Sequence, residues 1–174
     1  EAARLADELV IDLRGNLGGS FETAVAIAGD LLSAGDRIVS VRRRSGPSEE
    51  FSCVEDGFFP AEKPVTVLVD RNTASAAEVL AAALRDNGRA ELVGQPTYGK
   101  GLVQTIVRLQ DGSAVEITVA RYITPSGEYI NNRGLQPDVL VPEGASEAQW
   151  TRAFGAAGKP TLHGEGEKQS IIAP

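Results

Sequence analysis

The sequence predicts an α/β fold built from strand-turn-helix units and one β-hairpin. In two places an apolar run of strand length leads through a turn into apolar residues at helical spacing. In the second half of the chain, two strand-like runs flank an Asp-Gly pair, which readily takes the positive φ angles of a tight hairpin turn. The two units and the hairpin together predict the fold class.

The first unit starts with a predicted buried strand at residues 9–13, and the glycine-containing loop at residues 14–19 leads from it into a helix. The apolar positions of that helix are Ala24, Ile27, Ala28, Leu31 and Leu32. Another strand is expected at residues 38–41. Because glycine and proline punctuate residues 45–60, we expect that stretch to be a surface connection.

The second unit has a predicted strand at residues 64–69 and a helix at residues 76–86, which ends at Asn87 and Gly88. The remaining predicted elements are a short apolar stretch at 90–93, hairpin strands at 103–109 and 114–122, a turn at 124–127, a brief strand at 137–141 and a helix at 146–154.

Composition indicates a soluble globular protein, since 174 residues fit one domain and 42% hydrophobic with 24% charged residues is ordinary for this class. We place the domain at residues 1–154 and interpret residues 155–174, which are rich in glycine and polar residues, as a flexible tail. The formal charge of −7 argues against nucleic-acid binding. The short basic run Arg42, Arg43 and Arg44 is interpreted as a solvated strand end.

Several other classes of chemistry find no support in the residues. No apolar run reaches the length of a membrane span, and no signal peptide is visible. The single cysteine, Cys53, cannot form an internal disulfide, and no cysteine-histidine metal pattern is present, so we expect neither metal nor cofactor. The only histidine, His163, lies in the predicted tail, which argues against the usual histidine base of a serine hydrolase.

Ser75 falls at the point where the second predicted strand gives way to its helix. A serine at this point meets unpaired helix N–H groups, and these donors with the helix dipole stabilise an oxyanion that forms when the hydroxyl attacks a carbonyl. Serine is also among the preferred helix N-cap residues. The pattern around Ser75 therefore fits either a nucleophile or an ordinary cap.

Lys100 is the candidate base for such a serine. Lysine is a base only when neutral, which for an ordinary lysine costs roughly 4 kcal/mol near neutral pH, so the site must disfavour the ammonium by burial. Gly99 and Gly101 give the backbone freedom to point the side chain inward, although an exposed lysine in a glycine turn fits the same pattern. Gln104 can hold an uncharged amine through a hydrogen bond, or be an ordinary polar strand residue.

The loop at residues 14–19 contains Gly18 and Gly19, whose backbone N–H groups can be aimed at a reacting carbonyl beside the N–H of Ala76. A tight turn that needs glycine explains the same residues. The loop lacks the spacing of a dinucleotide-binding turn and the Lys-Ser/Thr pair of a P-loop, so a phosphate cradle is poorly supported.

Taken together, these residues resemble the carboxyl-terminal processing peptidases, also called tail-specific proteases. The matching segments are residues 10–16 with Gly18 and Gly19, residues 73–78, residues 94–101 with Gln104, residues 119–122, Thr124 with Pro125, and residues 134–138. The resemblance implies a serine endopeptidase that cleaves proteins near their carboxyl termini without a metal or cofactor. It assigns Ser75 as nucleophile, Lys100 as general base, Gln104 as its orienting partner, and the backbone N–H groups of Ala76 and Gly19, with Gly18 less favoured, as oxyanion hole.

The resemblance also carries expectations about fold, partners and location. It implies a ClpP/crotonase-like fold of stacked strand-strand-helix units, and protein or peptide substrates with apolar carboxyl ends. Members usually have a PDZ domain, which captures such an end by strand addition, ahead of the first strand. We therefore interpret residues 1–154 as a peptidase catalytic domain without its PDZ domain, whose exposed apolar surface favours self-association. The family implies the periplasm, or the thylakoid lumen for its photosynthetic branch.

Two alternatives from other classes stay open on the residues. A crotonase-like acyl-CoA enzyme also holds a thioester oxyanion with glycine-turn N–H groups, although it gives Ser75 and Lys100 no joint task. A non-catalytic scaffold of the same fold is the other alternative.

Overall fold

The computed structural model describes residues 6–157. Eight strands and three helices follow one another in this part of the chain. They are β1 (Leu9–Asp12), α1 (Phe21–Gly29), β2 (Arg37–Arg43), β3 (Glu49–Ser52), β4 (Val65–Val69), α2 (Ala76–Asp86), β5 (Glu91–Gly94), β6 (Leu102–Arg108), β7 (Ala114–Ile123), β8 (Val139–Leu140) and α3 (Glu147–Ala157).

The first sheet is parallel and has the strand order β1-β4-β5-β8. Its central strand β4 is a nearly continuous apolar run with Val65, Val67 and Val69 buried, as expected of a parallel strand covered on both faces. Because β1 and β4 are parallel neighbours, the turns at their carboxyl ends lie at the same edge of the sheet. Such an edge is where ligands commonly bind in α/β proteins.

The second sheet is antiparallel and has the order β3-β2-β7-β6. Helices α1 and α2 pack against each other and against β2, so that they join the two sheets into one core. Helix α2 is buried along nearly its whole length, from Ala76 to Leu84, and apart from Glu78 this stretch is apolar on every side rather than on one stripe. A β-bulge interrupts the β6–β7 pairing between Val103 and Gln104.

Both predicted strand-turn-helix units, the hairpin and the last helix are present in the structure. Helix α1 ends at Gly29, so Leu31 and Leu32 are core residues just beyond it. Helix α3 runs to Ala157, three residues past the predicted end; the tail predicted beyond it, with His163, lies outside the described residues. No helix within residues 6–157 is long and apolar enough to cross a membrane.

Two details differ from the sequence-based expectations. The predicted surface connection at residues 45–60 contains strand β3 and the buried residues Cys53 and Phe59. The strand was missed because an antiparallel edge strand need not show a long apolar run.

In the hairpin, only Gly112 of the Asp-Gly pair has a positive φ, 84°. Its N–H donates to the carbonyl of Leu109 at 3.1 Å, which closes a wider turn than a two-residue one.

Candidate active site

The carboxylate of Asp70, just after β4, organises two neighbouring turns. Its Oδ1 accepts hydrogen bonds from the backbone N–H groups of Asn72 at 3.0 Å and Thr73 at 3.0 Å within its own turn. The same oxygen accepts from the N–H of Gly15 at 2.9 Å in the turn after β1. One side chain therefore holds the turns of both strand-turn-helix units together.

Two further hydrogen bonds join these turns. The hydroxyl of Thr73, which is fully buried, donates to the carbonyl of Leu13 at 2.8 Å. The N–H of Ala74 donates to the carbonyl of Asn16 at 2.9 Å. The glycine turn consequently lies directly against the residue that precedes Ser75.

Ser75 occupies the N-cap position of α2 but not the backbone conformation of an ordinary cap. An N-cap residue is normally extended, whereas Ser75 has φ 57° and ψ −121°. Within residues 6–157, only Ser75 and Asn132 combine a side chain with positive φ. Such a conformation costs about 1–3 kcal/mol and is characteristic of functional sites, so capping alone does not account for this serine.

A fully buried carboxylate, that of Glu78, joins the Ser75 turn to the Lys100 loop. Its Oε2 accepts from the N–H of Ser75 at 2.9 Å and from the N–H of Lys100 at 2.8 Å. Its Oε1 accepts from the N–H of Gly99 at 2.8 Å and from the hydroxyl of Thr97. Since one oxygen atom serves both Ser75 and Lys100, the backbones of these two residues are immediate neighbours.

The glycines on both sides of Lys100 are required by close packing. A Cβ on Gly101 would lie 2.4 Å from the backbone nitrogen of Asn131. A Cβ on Gly99, whose φ is 87°, would lie 2.8 Å from the nitrogen of Gly134. The loop that carries Lys100 is thus clamped between Glu78 on one side and residues 130–134 on the other.

The side chains of Lys100 and Gln104 do not follow the sequence-based expectation. Both are exposed, and neither side chain has a hydrogen-bond partner within residues 6–157. The expected burial of the lysine amine is therefore wrong for this structure, although the backbone of Lys100 lies beside that of Ser75. Gln104 follows the β-bulge in β6, opposite Thr118 of β7.

The three candidate oxyanion donors differ in what their N–H groups already bind. The N–H of Gly18 donates to the side chain of Asn16 at 2.9 Å. The N–H groups of Ala76 and Gly19 have no acceptor within residues 6–157. Gly18 instead fills a steric role, because a Cβ on it would lie 2.8 Å from the Cβ of Ser75.

The glycine turn is also tied to helix α3 by a charged side chain. Arg14 Nε donates to Asp12 Oδ1 at 2.8 Å, and this hydrogen bond is the main reason why the pKa of Asp12 is lowered. The Arg14 guanidinium lies 4.7 Å from the ring centroid of Trp150, within cation–π distance. The turn is therefore braced from the outside as well.

Sequence reasoning did not single out Asp70, Glu78 or Thr97, although these residues hold the site together. Glu78 stands three positions after Ser75, which is the spacing of a capping box and was the available signal. Asp70 and Thr97 carry no comparable pattern. Their partners are distant in the sequence, so only the folded chain reveals their part.

Comparison with protein families matches residues 2–141 to peptidase family S41. The chain belongs to this family. It is 46% identical over 138 residues to the carboxyl-terminal-processing protease of Picosynechococcus sp., which covers 79% of this chain and 33% of the relative. It is 47% identical over 136 residues to the chloroplastic C-terminal processing peptidase of Tetradesmus obliquus, which covers 78% of this chain and 29% of the relative. The chain thus spans about a third of the length of these relatives.

Among solved structures, the photosystem II D1 C-terminal processing protease aligns with a TM-score of 0.75 and 39% identity over 91% of this S41 chain and 40% of that chain. The mixed parallel and antiparallel α/β core is the ClpP/crotonase-like fold of this group, so the predicted fold class is confirmed. Membership of a peptidase family does not favour the acyl-CoA enzyme or the non-catalytic scaffold.

Proposed function

We propose that this S41 chain carries the catalytic centre of a serine endopeptidase that cleaves protein substrates near their carboxyl termini. The observation that carries the proposal is the Glu78 carboxylate, which brings the backbones of Ser75 and Lys100 together on one oxygen atom. Within residues 6–157 the N–H groups of Ala76 and Gly19 have no acceptor, so both can donate to a new partner. The names of the relatives support the same reaction.

In the proposed mechanism, the Ser75 hydroxyl attacks the scissile carbonyl carbon while neutral Lys100 takes its proton. The negative charge on the former carbonyl oxygen is stabilised by the N–H groups of Ala76 and Gly19. Lys100 then gives the proton to the leaving amine, and the acyl-enzyme remains on Ser75. Water, activated by the same lysine, hydrolyses the ester and restores the serine.

We favour Gly19 over Gly18 as the second oxyanion donor because the Gly18 N–H already donates to Asn16. Gly18 lies so close to Ser75 that a side chain at position 18 would displace the serine. A Cβ added to Gly19 would have no other residue within 4 Å, apart from its chain neighbours, so the space beside Gly19 is open to a substrate.

The exposed Lys100 requires a further condition for catalysis. A neutral amine is favoured when water is excluded, and a peptide lying over the Lys100 loop excludes water from it. We infer that substrate binding supplies the burial which the free chain lacks, and that Gln104, four residues after Lys100 in β6, then orients the amine. Gln104 remains a proposed positioning residue.

Substrates with apolar carboxyl ends, and self-association through exposed apolar surface, belong to the same proposal. The described surface offers exposed apolar side chains on β6 and β7, among them Ile106 at 68% exposure. Relatives from a cyanobacterium and a chloroplast favour the periplasm or the thylakoid lumen as the location.

The proposal is tested by Ser75→Ala and Lys100→Ala, assayed for cleavage of a peptide with an apolar carboxyl end. Each variant should lose cleavage by about 10⁴-fold or more, as for the nucleophile and base of other serine peptidases, while circular dichroism and the melting temperature stay close to those of the parent. A fluorophosphonate probe should label the parent at Ser75 only. Near-normal turnover of a folded Lys100→Ala protein would contradict the proposed dyad.

A further inference from the structure

The antiparallel sheet carries a cleft of about 430 Å³ that the proposed reaction does not use. We name it the arginine cleft. Its volume is that of many small-molecule sites, which span about 300–1,000 Å³. None of the described residues that line it is acidic, and the charged ones are Arg42, Arg43, Arg44 and Arg121. Four arginines at one place are unexpected in a chain whose formal charge is −7.

The strand register puts the side chains of Arg42 and Arg121 side by side. These residues are directly opposite each other in the pairing of β2 with β7. The neighbouring pair, Val41 opposite Tyr122, is buried in the core, so Arg42 and Arg121 leave the other face of the sheet, where both are exposed. Directly opposed side chains begin about 5 Å apart, and like charges at such positions destabilise a sheet.

Tyr129 lines the same cleft and contacts one of the two arginines. It forms a β-bridge with Ile123, two positions after Arg121, and so belongs to the face that Arg121 leaves. Arg42 Nη1 donates to the hydroxyl of Tyr129 at 3.3 Å. Because that hydroxyl oxygen accepts from Arg42, its own hydrogen can be donated to a ligand. Both arginines and the tyrosine therefore offer donors to one space.

The charges of Arg42 and Arg121 are not neutralised by the chain. Neither residue has an ion pair within residues 6–157. Arg43 differs from them, because it stands opposite the buried Ala120 and forms an exposed ion pair with Glu49 at 3.1 Å. The register thus separates one paired arginine from the two that face the cleft.

Glu50 of β3 is an acidic residue on the same face of the sheet. It stands opposite Ser40, two positions before Arg42 in β2. Its carboxylate is paired with Arg37 at 3.7 Å, and it does not line the cleft. An anion from outside the described chain would therefore be the partner that offsets the repulsion between Arg42 and Arg121.

The arrangement suits a tetrahedral oxyanion better than a carboxylate. A guanidinium fork donates two parallel hydrogen bonds to a pair of oxygen atoms. A carboxylate has one such pair, whereas a phosphate group has several and can bridge two forks. A phosphate monoester also carries a charge of about −1.5 to −2 near neutral pH, which offsets two guanidinium charges.

We propose that the arginine cleft is a phosphate-binding site, with Arg42 and Arg121 as its two forks and Tyr129 as a further donor. The same phosphate chemistry is offered by a free phosphate and by the headgroup of a lipid. Bound phosphate removes the repulsion between the two arginines and so stabilises the folded chain. The site uses neither Ser75 nor Lys100, so this inference does not depend on the proposed function.

Isothermal titration of the 174-residue chain with inorganic phosphate, near neutral pH and at constant ionic strength, tests the site. Arg42→Gln and Arg121→Gln should each weaken phosphate binding by about tenfold or more, the scale of lost charge-assisted hydrogen bonds. Both variants keep most of the side-chain stem and remove the charged fork.

Arg108→Gln is the matched control, because it removes an exposed arginine of β6 that does not line the cleft. Arg108 is six positions from Leu102, the partner of Arg121, which corresponds to about 20 Å along the strand. Charges at that separation are screened by salt, so the affinity should change by less than about twofold.

Three companion measurements separate a specific site from a general effect of charge. Arg121→Lys, which keeps the charge but not the fork, should show an intermediate loss and keeps the test valid if Arg121→Gln folds poorly. Phosphate should raise the melting temperature of the parent and of Arg108→Gln, but not that of Arg121→Gln. Acetate should bind the parent at least about tenfold more weakly than phosphate.

Vesicles distinguish the two sources of phosphate. Phosphatidylcholine vesicles with and without phosphatidic acid are sedimented with the parent and with Arg121→Gln. Cosedimentation that requires both phosphatidic acid and Arg121, and that inorganic phosphate reverses, would assign the site to a lipid headgroup. Arginine-dependent phosphate binding without cosedimentation would assign it to a free phosphate, and either result supports the inference.

The inference is overturned if the parent binds neither inorganic phosphate nor the phosphatidic acid vesicles. An equal loss of affinity in Arg108→Gln would reduce the effect to general charge and would also overturn it. Acetate binding as tight as phosphate binding would do the same, because the cleft would then not distinguish a tetrahedral anion. Peptide cleavage enters none of these measurements, so the proposed function and the phosphate site can fail independently.

Discussion

Different interactions stabilise two regions of the molecule: the paired turns at residues 13–19 and 70–78, and the β6–β7 hairpin. Hydrogen bonds to the carboxylates of Asp70 and Glu78, and a buried one from the hydroxyl of Thr73, hold the paired turns. The hairpin is held mainly by the pairing of its two strands, and much of its apolar surface is open. Its exposed apolar residues are Ile106, Val107, Leu109, Val115, Ile117 and Val119.

The difference divides the proposed site into two halves. Ser75 and the proposed oxyanion donors lie on the paired turns, where the fold alone fixes their positions. Gln104 lies on the hairpin, and the Lys100 side chain is exposed beside it. The fold of the chain therefore positions Ser75 and the proposed oxyanion donors by itself. The burial of Lys100 and Gln104 depends on what covers them.

The largest expected effect comes from the buried carboxylate that serves the paired turns. Glu78→Gln puts an N–H₂ group against backbone N–H donors that cannot turn away, so either that of Gly99 or those of both Ser75 and Lys100 lose their acceptor. We expect the free energy of unfolding to fall by about 3 kcal/mol and kcat to fall by about 100-fold or more, with a smaller change in KM.

Glu116→Gln on the hairpin is the matched control for Glu78→Gln. Glu116 is exposed, so the change should leave the free energy of unfolding within about 0.5 kcal/mol of the parent. Thr97→Val, which removes one donor to Glu78 and the acceptor of the Leu135 N–H, should be intermediate. Equal kcat in the parent and a folded Glu78→Gln protein would show that the carboxylate is not needed to position the dyad.

Glycine substitutions sharpen the same comparison. Gly18→Ala and Gly112→Ala both place a side chain at a positive φ, 105° and 84°, but only at Gly18 does the added Cβ meet another residue, the Cβ of Ser75 at 2.8 Å. Each should cost about 1 kcal/mol or more of stability. Only Gly18→Ala should reduce kcat/KM, by about tenfold or more. A fully active Gly18→Ala protein would show that Ser75 tolerates displacement.

The change in the free energy of unfolding at acidic pH tests the junction between α2 and the turn that follows the hairpin. Burial raises the pKa of Asp86, but hydrogen bonds from Ser126 and Arg85 outweigh burial, so that its pKa lies below the ordinary value of 3.8. A lowered pKa in the folded state stabilises the protein above the unfolded-state pKa, and the stabilisation is lost as pH falls through the folded-state pKa.

We therefore expect Asp86→Asn to cost about 1–2 kcal/mol of unfolding free energy at pH 7. The difference from the parent should shrink below about pH 4, where the carboxyl group begins to take up its proton. Urea unfolding between pH 3 and pH 7 measures this difference. A difference that stays constant across the range would exclude the Asp86 carboxylate as its cause.

The smallest expected effect is on the open face of the hairpin. Val115 is 43% exposed and Val67 of β4 is 0% exposed, so Val→Thr at the two positions compares the same change in the two environments. Val67→Thr should cost about 1–3 kcal/mol because it buries a hydroxyl group. Val115→Thr should cost less than about 0.5 kcal/mol.

Sedimentation velocity of the Val115→Thr protein tests whether the open apolar face drives association. If the hairpin mediates it, the substitution should lower the apparent association at a given concentration. An identical sedimentation profile in parent and variant would remove Val115 from the proposed contact.

Much of the fold was accessible from the sequence, because the parallel strands are short apolar runs and α2 is rich in alanine and leucine. Strand β3 was missed, since four residues with one apolar member, Phe51, carry no clear period. The order and neighbourhood of Ser75, Lys100 and the two glycines could also be predicted. The exposure of Lys100 and Gln104 could not, because exposure depends on which distant segments cover a side chain.

The sequence by itself determined the family, the candidate nucleophile and the glycine turns, since these reside in local patterns of a few residues. Tertiary structure alone decided that Ser75 takes a strained conformation and that Glu78 links two loops. It also decided that the N–H of Gly18, and not that of Gly19, donates to Asn16. The physical reason is that a buried carboxylate is satisfied by donors from wherever the chain brings them. In this chain the donors that reach Glu78 from the Lys100 loop are nearly 20 residues or more away in sequence.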